Sequence, residues 1–255
     1  MVQTNFSKLL AFDSRILKQA KKSKPGLIAD GKPVAKRRSS SEQQLTLFKS
    51  ATSGLIGVDE VGRGCLSGPV VAAAVMLPRV AKSSFLAEEL SELDDSKALS
   101  QKQRERLAEV LRANCLFAIA EATPAEIDQI NILQASLLAM RRAVDSLLSQ
   151  IENSPAQLLL LVDGNQKVKG LTLEQITVIQ GDSHSASIAA ASVIAKVYRD
   201  DLMFELSQKH PVYSWHSNKG YGSKAHRAAI AEHGVTKWHR LSFRLFESKS
   251  EGDAE

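Results

Sequence analysis

The stretch Leu55-Ile56-Gly57-Val58-Asp59-Glu60 decides the fold, because an apolar run ends there on two adjacent carboxylates. The apolar part predicts a β-strand from Leu55 to Asp59. Successive side chains of a strand point to opposite faces, so we expect Asp59 and Glu60 to lie at a strand terminus, where that alternation stops. Taken alone, the pair fits an exposed strand end equally well.

Two further carboxylates occupy similar positions along the chain. Asp163 follows the apolar run Leu158 to Val162, and Asp182 follows the next predicted strand, just ahead of a small-residue segment. Each also has a simpler interpretation, since Asp163-Gly164 is a turn signal and Asp182 beside Ser183 is typical of a helix cap. In sheets with parallel strands, functional groups gather at the strand ends, so these ends would bring four carboxylates together.

Clustered carboxylates repel one another unless protons or metal ions neutralise them. Ligand sets made of oxygen alone select hard ions such as Mg²⁺ or Mn²⁺. Two such ions about 3.5–4 Å apart can activate a water molecule and stabilise the leaving oxygen in phosphodiester hydrolysis. A metal-dependent nuclease with Asp59, Glu60, Asp163 and Asp182 as ligands is therefore one hypothesis, and the simpler interpretations remain open beside it.

From Leu55 onward the chain alternates strands and helices, which predicts an α/β fold. The other strands are predicted at Val70 to Leu77, Cys115 to Glu121, Leu158 to Val162 and Ile176 to Ile179. Capping boxes at Ser100 with Gln103 and at Thr123 with Glu126 mark the starts of two helices. A third helix is expected from about Ser183 to Ser207, rich in small residues that allow close packing on a sheet. The segment from His210 to Phe246 is predicted to form an irregular or helical cap over the site.

The chain has 255 residues, of which 44% are hydrophobic, so it can bury one sizeable core with length left for an arm. No apolar run approaches the roughly 20 residues of a membrane helix, and the amino terminus lacks signal-peptide features. We therefore expect a soluble, cytoplasmic protein without a membrane partner. Cys65 and Cys115 lack metal-ligand spacing and are predicted to be reduced core thiols.

The positive charge is concentrated near the amino terminus. Residues 1–50 hold 11 Lys/Arg and 3 Asp/Glu, whereas residues 51–255 hold 22 Lys/Arg and 25 Asp/Glu. We predict a basic, largely disordered arm over residues 1–50, a catalytic domain over 51–247 and a frayed tail over 248–255. A short amphipathic helix between Phe6 and Leu17 would be marginal without a partner. Deleting residues 1–40 is expected to leave the chemistry intact and to weaken salt-dependent duplex binding.

The run from Gly57 to Val70, Gly-Val-Asp-Glu-Val-Gly-Arg-Gly-Cys-Leu-Ser-Gly-Pro-Val, closely resembles the opening motif of bacterial type 2 ribonuclease H, the ribonuclease HII family. Further motifs resemble that family in its order: Asp95-Ser96-Lys97, Ile127 to Leu133, Val162 to Asn165, Gly181-Asp182-Ser183, Ile188 to Lys196 with Arg199-Asp200, Lys219-Gly220-Tyr221, and His239-Arg240 with Ser242-Phe243. The resemblance spans about residues 54–246.

This resemblance implies a ribonuclease H-like fold, with a mixed five-stranded sheet flanked by helices and a C-terminal helical part. It assigns the four catalytic acids to the carboxylates named above, with Mn²⁺ or Mg²⁺ as cofactor. It also implies substrate contacts: Gly62, Arg63 and Gly64 at the ribose 2′-hydroxyl, Lys97 and Lys196 at phosphates, and Tyr221 on the sugar that follows the ribonucleotide. Tyr221 could instead be a core or surface tyrosine, and either lysine could simply be solvated.

The activity implied is hydrolysis of the phosphodiester 5′ to a ribonucleotide, in RNA–DNA hybrids and at single ribonucleotides in duplex DNA. The products would carry a 3′-hydroxyl and a 5′-phosphate, and the reaction would initiate ribonucleotide removal from DNA. One alternative is a broad hybrid nuclease without preference for single ribonucleotides. Another is a non-catalytic nucleic-acid or replication-complex binding protein, which would not require four clustered acids.

The segment Gln44-Leu45-Thr46-Leu47-Phe48 lies outside that resemblance and is similar to the short peptide that binds the bacterial replication sliding clamp. An extended peptide of this kind would place Leu47 and Phe48 in an apolar pocket while Gln44 hydrogen-bonds the rim, with Leu45 beside it. The same residues alternate like a strand, so pairing with the core sheet is the competing interpretation.

Overall fold

The computed structural model describes residues 5–23, 54–78, 84–151 and 158–246. Within these ranges, no helix combines the length and the apolar character needed to cross a membrane. The predicted clamp peptide at residues 44–48 and the predicted tail at 248–255 lie outside the described residues.

A five-stranded mixed sheet forms the centre of the fold, as the resemblance implied. Its strands are β1 (Gly54–Val61), β2 (Val70–Met76), β3 (Leu116–Ala122), β4 (Leu158–Asp163) and β5 (Glu174–Val178), in the order β3-β2-β1-β4-β5. The pairs β1–β2 and β2–β3 are antiparallel, whereas β4 runs parallel to both β1 and β5. The parallel half therefore brings three carboxyl-terminal strand ends to one edge, which is the arrangement expected for the carboxylates.

Helices cover both faces of the sheet. Helix α1 (Asn5–Ser23) precedes the sheet in the chain. The helices of the catalytic region are α2 (Phe85–Glu89), α3 (Gln101–Asn114), α4 (Pro124–Leu148) and α5 (Ala186–Lys209). Both predicted capping boxes are present, at the starts of α3 and α4. Helix α4 is kinked at Asn131, whose φ is 67°. The Asn131 side chain accepts hydrogen bonds from the next turn's amides, so it caps a second helical segment.

Helix α5 packs closely on β1, as its small residues predicted. A Cβ added to Gly57 would lie 2.2 Å from the carbonyl carbon of Ser187, so only glycine permits this approach. The helix begins at Ala186, later than predicted, because Gly181–Ser183 forms a separate 3₁₀ turn and Ser185 is the N-cap.

The carboxyl-terminal part consists of a 3₁₀ turn at Pro211–Tyr213, α6 (Trp215–Asn218) and α7 (Lys224–His233). Its core is an aromatic cluster in which Trp215 Nε1 donates to His226 Nε2 at 3.0 Å. His226 Nδ1 lies 2.8 Å from the carbonyl oxygen of Tyr221, so the ring donates there and accepts at Nε2. Burial lowers the pKa of His226, which keeps this ring neutral.

The amino-terminal region contains a helix that is longer than the short one considered between Phe6 and Leu17. Residues Asn5–Ser23 form a helix, α1, in which Phe6 and Leu9 are 0% and 2% exposed. This is the amphipathic helix that the sequence offered as marginal, and it forms because its apolar face packs on α5 and the adjoining core. The division into an amino-terminal arm, a catalytic domain and a tail stays a prediction. The two cysteines are free, with Cys65 buried and Cys115 partly buried, in agreement with the prediction of reduced thiols.

Candidate active site

Three carboxylates meet where the parallel strands end. Asp59 lies in β1, Glu60 follows it, and Asp163 is the last residue of β4. One oxygen from each lies within 4.8 Å of the other two. The pair Asp59 and Glu60 is not the strand terminus that we predicted, since β1 continues to Val61. Parallel pairing of Val58 with Val162 nevertheless sets Asp59 beside Asp163.

Asp182 adjoins this group without being one of the three that converge within 4.8 Å. It lies in the 3₁₀ turn between β5 and α5, and the turn is tied to β4 because Gly181 N donates to Asp163 Oδ1 at 2.7 Å. Lys97 Nζ lies 3.7 Å from Asp182 Oδ2 and 3.9 Å from Asp95 Oδ1. The fourth predicted acid thus belongs to the same constellation, with a cation beside it.

The electrostatics of the cluster disfavour several negative charges at once. Burial and the neighbouring charges of Glu60, Asp163 and Asp182 raise the pKa of Asp59 well above its ordinary value. Burial also raises the pKa of Glu60, although Arg63 opposes the shift. For Asp182, burial and then the charges of Asp95 and Asp163 raise the pKa. A divalent cation would relieve this repulsion, so the donor set fits a hard metal ion.

The loop from Gly62 to Pro69 is held by two fully buried guanidinium groups. Arg240 donates to the main-chain oxygens of Gly62, Arg63 and Gly68 at 2.7, 2.9 and 2.9 Å. Arg199 donates to those of Ser67, Lys219 and Pro69 at 3.0, 2.9 and 3.1 Å. Side chains from α5 and from the C-terminal part therefore hold both ends of this loop, at Gly62 and Arg63 and again from Ser67 to Pro69.

The predicted substrate residues of this loop lie close to the acids. Arg63 Nη1 lies 3.0 Å from Glu60 Oε1. Gly62 has a φ of 93° and leaves no room for a side chain, since a Cβ there would lie 2.2 Å from Arg199 Nε. The ring of Tyr221 lies beside Gly64, 3.8 Å from where a Cβ would be. Tyr221 is 48% exposed, so it is not a core tyrosine.

The two predicted phosphate contacts differ in their surroundings. The side chain of Lys97 is 81% exposed at the edge of the acid cluster. Partial burial opposes the charge of Lys97, but Asp95 and Asp182 outweigh that effect and raise its pKa. The side chain of Lys196 is only 18% exposed, and its Nζ lies 2.7 Å from Asp200 Oδ1. Lys97 therefore presents a charge to solvent, whereas Lys196 is already paired.

Sequence reasoning missed several residues that build this site. Arg199 and Arg240 were noted only as parts of motifs, and Asp95 was given no function beside Asp182. Ser192 bonds Ser96 at 2.9 Å between the two hydroxyl oxygens, which joins α5 to the segment that carries Lys97. The sequence signal that could have identified a buried cation is the spacing of Arg199, which lies four residues from the apolar Ala195 and four from the apolar Met203 and so shares their helix face.

Comparisons with known proteins agree with this geometry. A family model described as ribonuclease HII matches residues 56–246. A curated ribonuclease HII from Trichormus variabilis is 53% identical over 197 residues, covering 76% of this chain and 84% of that protein.

Solved structures show the same fold. The structure of the PCNA:RNase HII complex from Archaeoglobus fulgidus matches with a TM-score of 0.59 and 24% identity, covering 79% of this chain and 100% of that chain. Bst-RNase HIII in complex with Mn²⁺ matches with a TM-score of 0.62 and 19% identity, covering 89% of this chain and 78% of that chain. The family model and the identity to the Trichormus protein decide the assignment: the chain belongs to the ribonuclease HII family and is a metal-dependent endoribonuclease.

Proposed function

We propose that this enzyme hydrolyses the phosphodiester 5′ to ribonucleotides, both in RNA–DNA hybrids and at single ribonucleotides embedded in duplex DNA. The products carry a 3′-hydroxyl and a 5′-phosphate, and the reaction initiates ribonucleotide removal from DNA. The observation that carries the proposal is the convergence of Asp59, Glu60 and Asp163 within 4.8 Å, at a strand edge where the pKa values of Asp59 and Glu60 are raised.

Asp59, Glu60, Asp163 and Asp182 are proposed as the ligands of two divalent ions, Mn²⁺ or Mg²⁺. When bound, such ions supply the Lewis acidity that activates water and stabilises a leaving oxygen. Asp59 is the most deeply buried of the three converging acids, at 5% exposure, and is our candidate for the ligand shared by both ions. The Mn²⁺ in the Bst-RNase HIII structure supports this choice of ion by analogy of fold alone.

Recognition of the ribonucleotide is assigned to the loop beside the acids. Main-chain groups of Gly62, Arg63 and Gly64 can approach a sugar closely because the two glycines carry no side chain. A 2′-hydroxyl both donates and accepts hydrogen bonds, so backbone groups are suitable partners. Tyr221, half exposed beside Gly64, is proposed to pack against the following sugar. Lys97 is proposed to contact a phosphate, which positions the duplex without reading bases.

A sliding clamp is proposed as partner of the segment from Gln44 to Phe48. The Archaeoglobus fulgidus ribonuclease HII was solved in a complex with PCNA, which supports a clamp as the class of partner. Tethering to a clamp would raise the local concentration of the enzyme on newly made DNA. Titrating the bacterial clamp with the wild type and with a Leu47→Ala, Phe48→Ala double variant tests this proposal. If the segment docks on the clamp, the wild type binds the clamp and the double variant loses that binding while its thermal stability is unchanged. Absence of clamp binding by the wild type refutes the proposal.

The proposed activity is tested on three duplexes of one sequence: DNA with a single ribonucleotide, a full RNA–DNA hybrid, and all-DNA as the matched control. Each is incubated with Mg²⁺, with Mn²⁺ and with chelator, and product ends are mapped at nucleotide resolution. We expect metal-dependent cleavage 5′ to each ribonucleotide and an intact all-DNA duplex. Cleavage of the hybrid alone would favour a broad hybrid nuclease. Binding without cleavage in either metal would favour a non-catalytic binding protein.

A cytoplasmic location stays a prediction.

A further inference from the structure

Helix α1 provides a cap for another helix that borders the acid cluster. The side chain of Asp13 is buried, and its Oδ2 accepts hydrogen bonds from Ser187 N at 3.0 Å and Ser187 Oγ at 2.8 Å. Ser187 lies in the first turn of α5, where main-chain amides lack partners within their own helix. A carboxylate at this end also complements the positive end of the helix dipole. Asp13 therefore stabilises the start of α5 from outside that helix.

The first turn of α5 is fixed on two sides. Ser187 is held by Asp13 on one side, and on the other it packs against Gly57 of β1, two residues before Asp59. The start of α5 is also bonded to the 3₁₀ turn that contains Asp182, because the N-cap residue Ser185 donates its N–H to Gly181 O at 2.8 Å. A shift of the start of α5 would therefore move Asp182 relative to Asp59.

A second contact joins α1 to the other segment that meets Asp182. Asn5 Nδ2 donates to the carbonyl oxygen of Leu93 at 3.1 Å. Leu93 lies just before the Asp95 to Lys97 segment, whose lysine is 3.7 Å from Asp182. The apolar residues Phe6 and Leu9, both buried, anchor the helix between these two contacts. Helix α1 thus braces two segments that converge on one carboxylate.

We propose that α1 is a positioning element for Asp182, with Asp13 as its positioning residue. The family model begins at residue 56, so it does not cover α1. The inference rests on the proposed function, since it assigns Asp182 to the site that cleaves ribonucleotide-containing duplexes. A misplacement of about 1 Å in such a site can lower a rate by roughly 100-fold, so a partial loosening of the α5 start is expected to cost about tenfold.

The test compares Asp13→Ala, Asp13→Asn and the matched control Ser14→Ala in the full-length protein. Ser14 neighbours Asp13 on α1 and is exposed. Each protein is assayed for kcat, for KM on duplex DNA with one ribonucleotide, and for the Mn²⁺ concentration that gives half-maximal rate. Assays are run well below the lowest melting temperature, and rates are expressed per folded molecule.

For Asp13→Ala we expect kcat to fall about tenfold and the half-maximal Mn²⁺ concentration to rise several-fold, with KM within about twofold of wild type. Asp13→Asn keeps a side-chain acceptor for Ser187, so it should recover most of the rate, and Ser14→Ala should match the wild type. A wild-type kcat and Mn²⁺ dependence for Asp13→Ala would overturn the inference and leave α1 a purely structural element.

If Asp13→Ala melts below the assay temperature, Ser187→Ala decides instead. It removes one of the two hydrogen bonds to Asp13 while the apolar contacts of α1 remain, and we expect kcat to fall by about two- to fivefold. An unchanged kcat for this variant would overturn the inference. Failure of the proposed function has a separate signature: the wild type itself would then cut no ribonucleotide-containing duplex with either metal.

Discussion

Arg240 is fully buried, and its Nη2 donates to the main-chain oxygen of Gly62 at 2.7 Å. The two residues are distant in sequence, and Gly62 lies three residues after Asp59. Burial and the nearby charge of Arg199 lower the pKa of Arg240 to about 10, so at neutral pH it stays protonated and keeps all its donors. The shape of the loop beside the acids therefore depends on a cation from the C-terminal part.

Replacing Arg240 with lysine should loosen this loop. A lysine ammonium cannot reproduce three hydrogen bonds arranged around a planar guanidinium group, and each buried carbonyl left without a partner costs about 1–3 kcal/mol. We expect Arg240→Lys to lower the free energy of unfolding by about 2–4 kcal/mol and kcat by at least about tenfold. Urea unfolding and single-turnover kinetics measure the two effects. Arg112→Lys, on an exposed face of α3, serves as the control, and matching behaviour of the two variants would contradict the prediction.

The substitution Asp59→Asn should abolish cleavage while preserving the fold and duplex binding. It removes one charge from a buried cluster in which the neighbouring carboxylates raise the pKa of Asp59. Without metal, that charge is unfavourable in the folded protein. At pH values above neutral, the melting temperature of Asp59→Asn should therefore equal or exceed that of the wild type. Calorimetry with chelator and cleavage assays with Mn²⁺ test both parts. Asp145→Asn, on exposed α4, should keep full activity, and turnover by Asp59→Asn would contradict its assignment.

Tyr221 is expected to act through its ring. The residue is 48% exposed, so Tyr221→Ala should change stability little. Loss of the flat surface against the sugar should lower the cleavage rate at a single ribonucleotide by roughly 10- to 100-fold. Tyr221→Phe keeps the ring and should retain most of the rate. Equal losses in both variants would show that the hydroxyl is the required group.

The stability of the protein should carry a pH signature from Asp13. Burial raises the pKa of Asp13 from 3.8 to about 6, so folding favours its protonated form. The stabilisation of the folded protein by the protonated Asp13 side chain is complete below about pH 4 and is lost as the pH rises through 6. Asp13→Asn does not titrate, so its free energy of unfolding relative to wild type should increase by roughly 3 kcal/mol from pH 4 to pH 8. Urea unfolding with chelator measures this difference. A pH-independent difference would contradict the raised pKa.

The sequence predicted the strands, and with them the placement of carboxylates near the strand ends, because both depend on local patterns. The strand from Leu158 to Val162 is a continuous apolar run, and its position fixes Asp163 at a strand end. The capping boxes at Ser100 and Thr123 are likewise contained within four residues. These features need no knowledge of distant contacts, so they could be inferred in advance.

The parts that the sequence did not predict are those that depend on tertiary partners. Arg240 looks like an ordinary surface cation until the loop carbonyls that surround it are known. Helix α1 seemed marginal because its stability comes from burying Phe6 and Leu9 and from the bond between Asp13 and Ser187. The 3₁₀ turn that carries Asp182 interrupts the predicted start of α5, and Gln180 before it has a φ of 53°, which local preferences disfavour for a non-glycine residue.

Two deletions of equal charge separate the electrostatic and positioning contributions of the amino-terminal region. Residues 1–23 carry five Lys/Arg and one Asp, and residues 24–41 carry five Lys/Arg and one Asp, so each deletion removes a net charge of +4. Only the first deletion removes α1. The second leaves residues 42–53 to connect α1 to β1, and these twelve residues can span up to about 40 Å.

If the region acted through charge alone, both deletions would flatten the dependence of duplex affinity on salt equally and leave kcat unchanged. The structure revises the expectation that the chemistry survives loss of residues 1–40, because α1 buries Phe6 and Leu9 and caps α5. We expect deletion of residues 1–23 to lower stability by several kcal/mol, at about 1.5–3 kcal/mol for each large apolar side chain, and to lower kcat about tenfold. Deletion of residues 24–41 should change only the salt dependence. Salt titrations of duplex binding, thermal melts and kcat provide the comparison. Equal kcat values for the two deletions would show that α1 contributes nothing to catalysis beyond its charge.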